Sequence, residues 1–268
     1  MKKILKVFKS SKSEKASVST STTSPAAATP SATASTTPAT TTSSAPATGP
    51  EKNTAAMAAD KVDTATYLKA IGHRRTVYPL SDKVSVSDDR IVEVVQEVLK
   101  VSPSSYNSQP MRVAIMLGEH HKKFWQIVKD KALPLLAGAG EEVVKTMSQR
   151  FEMFQAAYGS ITFWEDAETI KEWQGNHQSV AGMFPQWGEH ANGMLQVQVW
   201  TAIELEGLGA NLQHMNSFPP VEAEIKKVFD IPESWSLRAH LNIGSETTPH
   251  PENPEKKPFS ETLKVFKA

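Results

Sequence analysis

A chain of 268 residues with 29 basic and 29 acidic side chains and 39% hydrophobic residues has room for a sizeable core. With no cysteine it excludes a disulfide framework, a thiolate metal site and a cysteine nucleophile, and zero net charge argues against a strongly basic nucleic-acid-binding body. No stretch reaches the roughly 18 apolar residues of a membrane helix.

The neutrality is a cancellation. Lys2, Lys3, Lys6, Lys9, Lys12 and Lys15 stand against Glu14 alone, residues 16–50 carry no charge, and everything after them holds 23 basic and 28 acidic residues. The Ala/Ser/Thr/Pro tract cannot bury enough apolar surface to offset its ordering entropy and reads as disordered. The lysine-rich head alternates with Ile4, Leu5, Val7 and Phe8, a short amphipathic pattern without the apolar run of a secretory signal. Two readings lead, a solvated tail on a cytoplasmic protein or a mitochondrial presequence, whose hydroxyl-rich, acid-poor character it shares although its cations are all Lys; a nucleic-acid or membrane-surface arm is the third. Residues 1–58 are therefore set apart from a folded domain over 59–268.

In chain order, Asp60 to Arg75 reads as a helix with Leu68 and Ile71 on its apolar face. Ser87 is an N-cap, followed by Asp88 and Asp89 and by Ile91, Val94, Val95, Val98 and Leu99 at helical spacing. Val113 to Leu117 is a short apolar run consistent with a buried strand. His120 to Lys131 and Glu141 to Tyr158 read as helices, Ile161 to Trp164 as a strand, and Ala167 to Trp173 as a short helix. Ala191 to Leu208 is apolar nearly all round, which predicts a central helix buried on every side. Ser236 to Ile243 alternates strictly, placing Leu237, Ala239, Leu241 and Ile243 on one strand face. The pattern is that of an α+β or α/β domain, a sheet wrapped by helices.

The familiar catalytic signatures are missing. None of the eight histidines (73, 120, 121, 177, 190, 214, 240 and 250) forms a metal-ligand pair on one helix face, and there is no Gly-x-Ser-x-Gly elbow or phosphate-cradling Walker loop. In Gly207-Leu-Gly209 the third glycine of a dinucleotide fingerprint is replaced by Leu212, so these glycines read as the end of the central helix. Either a cofactor does the chemistry or there is none. Three clusters point to an anionic, polyhydroxylated cofactor. Arg74-Arg75-Thr76 offers guanidinium forks and a hydroxyl suited to phosphate. Ser102-Pro-Ser-Ser-Tyr-Asn-Ser-Gln-Pro110 is dense in amides and hydroxyls. Lys256-Lys257 adds a second cationic handle.

With these clusters in this order, the chain resembles the flavin-dependent nitroreductase family. Arg74-Arg75-Thr76 is similar to its opening signature, Ser102 to Pro110 to its Ser-Pro-Ser-Ser-x-Asn-Ser-Gln-Pro loop, and Gly207 to His214 to its Gly-Leu segment. Tyr78 and the Leu-Gln-His run resemble the short branch found in fungi and lactic-acid bacteria, which includes the fatty-acid-repression nitroreductase-like proteins. Departures are Met111, where many members have Trp, and His214, where larger members place an acidic residue before a Gly. The resemblance covers roughly residues 62–268. It implies an α+β, nitroreductase-like α/β sandwich with a mostly antiparallel sheet flanked by helices, built as a homodimer with two FMN molecules in its interface.

The resemblance further implies that Arg74, Arg75 and Thr76, completed by Lys256 and Lys257, hold the phosphate and ribityl chain. Pro103, Ser104, Ser105 and Asn107, with Gln109 in the same loop, reach the flavin from the partner subunit, and Gln213 and His214 lie near the isoalloxazine edge. NADH or NADPH donates hydride to flavin N5 and leaves, and a small-molecule acceptor, nitroaromatic or quinone-like, then takes two electrons in ping-pong fashion. No catalytic side chain, metal, nucleic acid or membrane is called for. The other reading is an FMN-binding flavoprotein that regulates a stress response with little turnover.

Overall fold

The computed structural model describes residues 63–215 and 218–268, so the expectations for the basic head and uncharged tract lie outside the described residues. Helix α1 (Thr64–His73) starts where Asp63 accepts the Thr66 N–H at 3.3 Å. It is followed by the two-residue strand β1 (Leu80–Ser81). Helix α2 (Asp88–Val101) begins at Ser87, whose hydroxyl accepts the Arg90 N–H at 3.2 Å, and it buries Ile91, Val94 and Val95. Strand β2 (Met111–Leu117), helices α3 (Glu119–Leu136) and α4 (Glu141–Gln155), strand β3 (Gly159–Asp166) and helix α5 (Ala167–Asn176) follow. A long helix, α6 (Phe184–Leu205), leads into strand β4 (Gly209–Gln213). Helix α7 (Pro219–Phe229), strand β5 (Trp235–Glu246) and the single turn α8 (Phe259–Thr262) complete the chain.

The sheet runs β4–β5–β3–β2, antiparallel at every step, with β1 antiparallel to the far end of β5 through Leu80↔Glu246. Every residue of β3 is buried, because helices cover both faces. On one face Phe124, Trp125, Phe151 and Phe154 of α3 and α4 meet Trp164 and Leu237. On the other, Ile91 and Val95 of α2 and Leu195, Val199 and Ile203 of α6 meet Ile161, Phe163 and Leu241. This is the anticipated sandwich: a mostly antiparallel sheet flanked by helices.

Three sequence expectations are corrected, and one strand, β4, was not anticipated. Strand β2, expected to be buried, pairs only with β3 among the described residues and is largely half-buried, as an edge strand is. Strand β4 carries no apolar alternation. It forms because Gly207, at φ +88°, turns the chain out of α6, and β5 then offers a free edge. Leu237 does not share a face with Ala239, Leu241 and Ile243. A β-bulge changes the register between Phe163↔Ala239 and Trp164↔Leu237, leaving Arg238 as the extra residue. Leu237 thus joins the α3 layer while Ala239 joins the α6 layer. Arg238 reaches Glu165 at 2.5 Å and Glu189 at 3.1 Å. Finally, α6 is not buried all round: Met194, Val197 and Leu205 are 40%, 46% and 57% exposed. Tyr67, Leu68 and Ile71 of α1 are also exposed, and none of the helix's residues is buried.

Candidate functional site

The Arg74–Thr76 turn leaves the C-terminal end of α1 and is held from behind by α6. Glu204, 2% exposed, accepts the Arg75 backbone N–H at 2.7 Å and the Trp200 indole N–H at 2.6 Å. Burial pushes the Glu204 carboxyl up to about 7, against the opposing pull of those two donors and of nearby His250 and Arg74. The two arginines diverge. Arg75 is buried and donates its guanidinium back to Gly72 O at 2.8 Å, a favourable use of a cation at a helix C-terminus. Arg74 lies over the Trp200 ring, its guanidinium carbon 4.4 Å from the centroid. Beyond them, Val77 is stitched to β4 through Ala210 O and the Asn211 amide, each at 2.8 Å.

The Ser102–Pro110 loop is held by a different flank of α6. The Ser102 hydroxyl lies 2.8 Å from Val98 O and 2.7 Å from Gln198 Oε1. Ser104 Oγ accepts the Gln109 N–H at 2.9 Å, closing a 3-10 turn over Ser105–Asn107. Tyr106, Asn107 and Gln109 all have positive φ, at 56°, 53° and 50°. For non-glycine residues this backbone is costly and persists only where surroundings enforce it. Here the Tyr106 ring supplies an anchor, with its centroid 4.7 Å from His177, 5.8 Å from Phe184, 5.9 Å from Trp187 and 6.5 Å from Trp173. Ser105 is half-buried, while Pro103, Asn107 and Gln109 are exposed.

Gln213, the last residue of β4, donates its amide to Asn211 Oδ1 at 3.0 Å, and His214 follows it at the surface. The chain beyond β5 is tied to the end of α1. The His250 ring stacks on His73 with centroids 4.6 Å apart, and its nitrogens lie 2.7 Å from Glu246 Oε1 and 2.8 Å from His73 O. His250 thereby gains a pKa above its ordinary value, chiefly through Glu246. The carbonyl of His73 can only accept, so protonated His250 satisfies both contacts at once. His73, Glu204 and His250 present ligand atoms within 4.8 Å of one another. The Glu204 oxygens and the His250 nitrogens, however, are already engaged in the hydrogen bonds above. Lys256 and Lys257, further along this tail, are exposed, with Lys257 Nζ 3.8 Å from Glu261.

The structure therefore brings the Arg74–Thr76 turn beside the start of the C-terminal tail, and places the Ser102–Pro110 loop elsewhere. Gln198 and Trp200 are two positions apart on a helix of about 3.6 residues per turn, so their side chains diverge by about 200°. The two clusters flank the exposed strip of Met194, Val197 and Leu205 on opposite sides. Sequence reasoning missed Glu204, Trp200 and the aromatic anchor of Tyr106. The first pair carries a faint signal, i and i+4 on an otherwise apolar helix. The aromatic anchor has none, because its rings come from distant segments.

Comparison with known proteins places the fold and the family. The model of the nitroreductase family matches residues 71–245. The nitroreductase FRM2 of Saccharomyces cerevisiae is 36% identical over 198 residues, covering 73% of this chain and 94% of the relative. The nitroreductase CinD from Lactococcus lactis, solved in complex with 4-nitrophenol, is 35% identical with a TM-score of 0.65, over 75% of this chain and all of that one. A nitroreductase with bound FMN from Desulfitobacterium hafniense shares the fold at 16% identity and a TM-score of 0.56, over 75% of this chain and 97% of its own. The chain belongs to the nitroreductase family.

Proposed function

We propose that this chain is an FMN-dependent NAD(P)H oxidoreductase that works as a homodimer and reduces nitroaromatic or quinone-like acceptors. The observation that carries the reading is the division of polar clusters across α6. A second copy covering the strip of Met194, Val197 and Leu205 would bring the Ser102–Pro110 loop of one chain to the Arg74–Thr76 turn of the other. The donor set fits the cofactor. Among the described residues, the side chains of Arg74, Thr76, Ser105, Asn107 and Lys256 make no hydrogen bond, so each is open to a ligand.

In this reading Arg74, Thr76, Lys256 and Lys257 bind the phosphate and ribityl chain, while Arg75 shapes the turn. Pro103, Ser104, Ser105, Asn107 and Gln109 of the second copy approach the flavin, and Gln213 and His214 lie at its edge. When bound, FMN would supply reversible two-electron chemistry between a nicotinamide donor, NADH or NADPH, and the acceptor. The protein's share is positioning and a field of donors and cations, which matches the absence of acid–base signatures in the sequence. The relative crystallised with 4-nitrophenol favours an aromatic acceptor. In this reading residues 1–58 serve as a mitochondrial presequence, the alternative being a solvated tail on a cytoplasmic protein. A fluorescent fusion of residues 1–58 that stays uniformly cytoplasmic overturns that address.

The purified protein should be a yellow dimer whose visible absorbance is bleached anaerobically by NADH or NADPH and restored by 4-nitrophenol. A colourless protein that does not take up added FMN overturns the proposal. A yellow protein that neither nicotinamide bleaches replaces it with the regulatory flavoprotein.

A further inference from the structure

We propose that Glu204 is a positioning residue for the phosphate end of the cofactor site, setting both arginines of the Arg74–Thr76 turn from behind through its two buried oxygens. The inference rests on the flavin reading above and extends it to a residue outside the three clusters.

A carboxylate buried to 2% exposure in a central helix is costly to keep, since loss of its hydration must be offset by fixed partners. Glu204 has two, and they are consequential. The Arg75 N–H belongs to the peptide that joins Arg74 to Arg75, so the 2.7 Å hydrogen bond fixes the path of the chain between them. The Trp200 indole N–H, at 2.6 Å, fixes the plane of the ring on which the Arg74 guanidinium lies. One oxygen therefore orients the turn's backbone and the other orients the platform of its outward-facing cation.

Only the ionised carboxylate can do this, the form Glu204 takes above the pKa of about 7 to which burial raises it. Both partners are donors, and a glutamine offers one acceptor and one donor in the same place, so one of the two contacts becomes donor against donor. The carboxylate does not itself meet the phosphate: both oxygens are occupied and buried, and a direct approach would be repulsive. Arg74 lies over the Trp200 ring and is near enough to Glu204 to be felt electrostatically, so the carboxylate at the ring's edge helps keep the cation on its platform.

The test compares FMN with riboflavin, which has the same ring and ribityl chain but no phosphate, by flavin-fluorescence titration of the full-length protein. Glu204→Gln should weaken FMN about tenfold, equivalent to about 1.4 kcal/mol, and riboflavin by less than about twofold. Trp200→Phe, which keeps an aromatic ring while removing the indole donor with the pyrrole half of the bicycle, should lower FMN-over-riboflavin selectivity in the same direction. Arg74→Ala, which removes the cation itself, should lower it most. Unchanged FMN affinity in Glu204→Gln overturns the inference, as does an equal loss for both flavins, which would mark a purely structural role. If Glu204→Gln does not fold, Trp200→Phe carries the same two outcomes. Wild-type protein that binds neither flavin overturns the flavoprotein reading, and this inference with it, by a result distinct from the variant patterns.

Discussion

Val197→Glu should convert the yellow dimer into a colourless monomer. Val197 lies in the exposed strip of α6 and is 46% exposed in the single chain. The strip has polar clusters on both flanks, so in the proposed dimer it is covered by a second copy. Glutamate is a better helix former than valine, so α6 itself is not weakened. The substitution instead buries one unpaired carboxylate per chain at the contact, at a cost of about 3 kcal/mol or more each. Two such charges amount to about 6 kcal/mol, or about four powers of ten in the dimer dissociation constant. The flavin should leave with the partner, because the Ser102–Pro110 loop that completes each site comes from the other chain. Light scattering and the ratio of visible to protein absorbance measure both effects. A variant that remains a dimer with full flavin content contradicts the assigned interface, and a yellow monomer contradicts the shared site.

His240→Leu should make the protein markedly more tolerant of acid. His240 is fully buried beneath the rings of Phe124 and Trp125, at 5.0 and 5.2 Å, and neither of its nitrogens has a hydrogen-bond partner. Burial lowers its pKa from 6.5 to about 3. His121, also buried, falls to about 4, with Nε2 donating to Phe154 O and Nδ1 accepting from the Ser160 hydroxyl. Both histidines stay neutral in the folded state and charge on unfolding. Their stabilising contribution is complete above pH 6.5 and is lost as pH falls towards 4 and 3.

Glu204 acts in the opposite sense. With its pKa raised from 4.5 to about 7, it holds a proton that the unfolded chain releases. That contribution is complete below pH 4.5 and fades as pH rises to 7. Between pH 4.5 and 6.5, unfolding therefore takes up two protons at the histidines and releases one at Glu204. For these three groups the net slope is about 1.4 kcal/mol of stability per pH unit. His240→Leu removes one of the two uptakes and flattens the slope, and it sacrifices no hydrogen bond. The stability of the variant relative to the wild type should be about 2 kcal/mol greater at pH 5 than at pH 7. Urea unfolding of flavin-free protein at one concentration across this range reads the difference directly. Parallel stability–pH curves for the two proteins rule the assignment out.

Much of the fold was legible from local rules. Ser87 with its acidic first turn and the spacing of Ile91, Val94 and Val95 marked α2, and the apolar run around Ile161 marked β3. Each signal acts within a few residues, through a capped backbone donor or a repeated buried face. Strand β4 was not legible, because a strand of Gly-Ala-Asn-Leu-Gln has little preference of its own and exists by pairing with β5. The bulge at Arg238 escaped for a related reason: strict alternation assigns faces only while the register is unbroken.

The candidate site divides along the same line. Composition and residue type alone set out the material of the site: guanidinium and hydroxyl at Arg74–Thr76, amides and hydroxyls at Ser102–Pro110, two lysines near the end, and no acid–base or metal signature. What each group can donate is a covalent property, readable wherever it stands. Which of them meet was decided only in three dimensions. Arg75 turned inward to Gly72, Arg74 came to rest on Trp200, and Glu204 became their common support although it lies 129 positions from Arg75. The two clusters stand on opposite flanks of α6, since a helix distributes neighbouring residues around its axis. Directions of that kind are set by long-range burial.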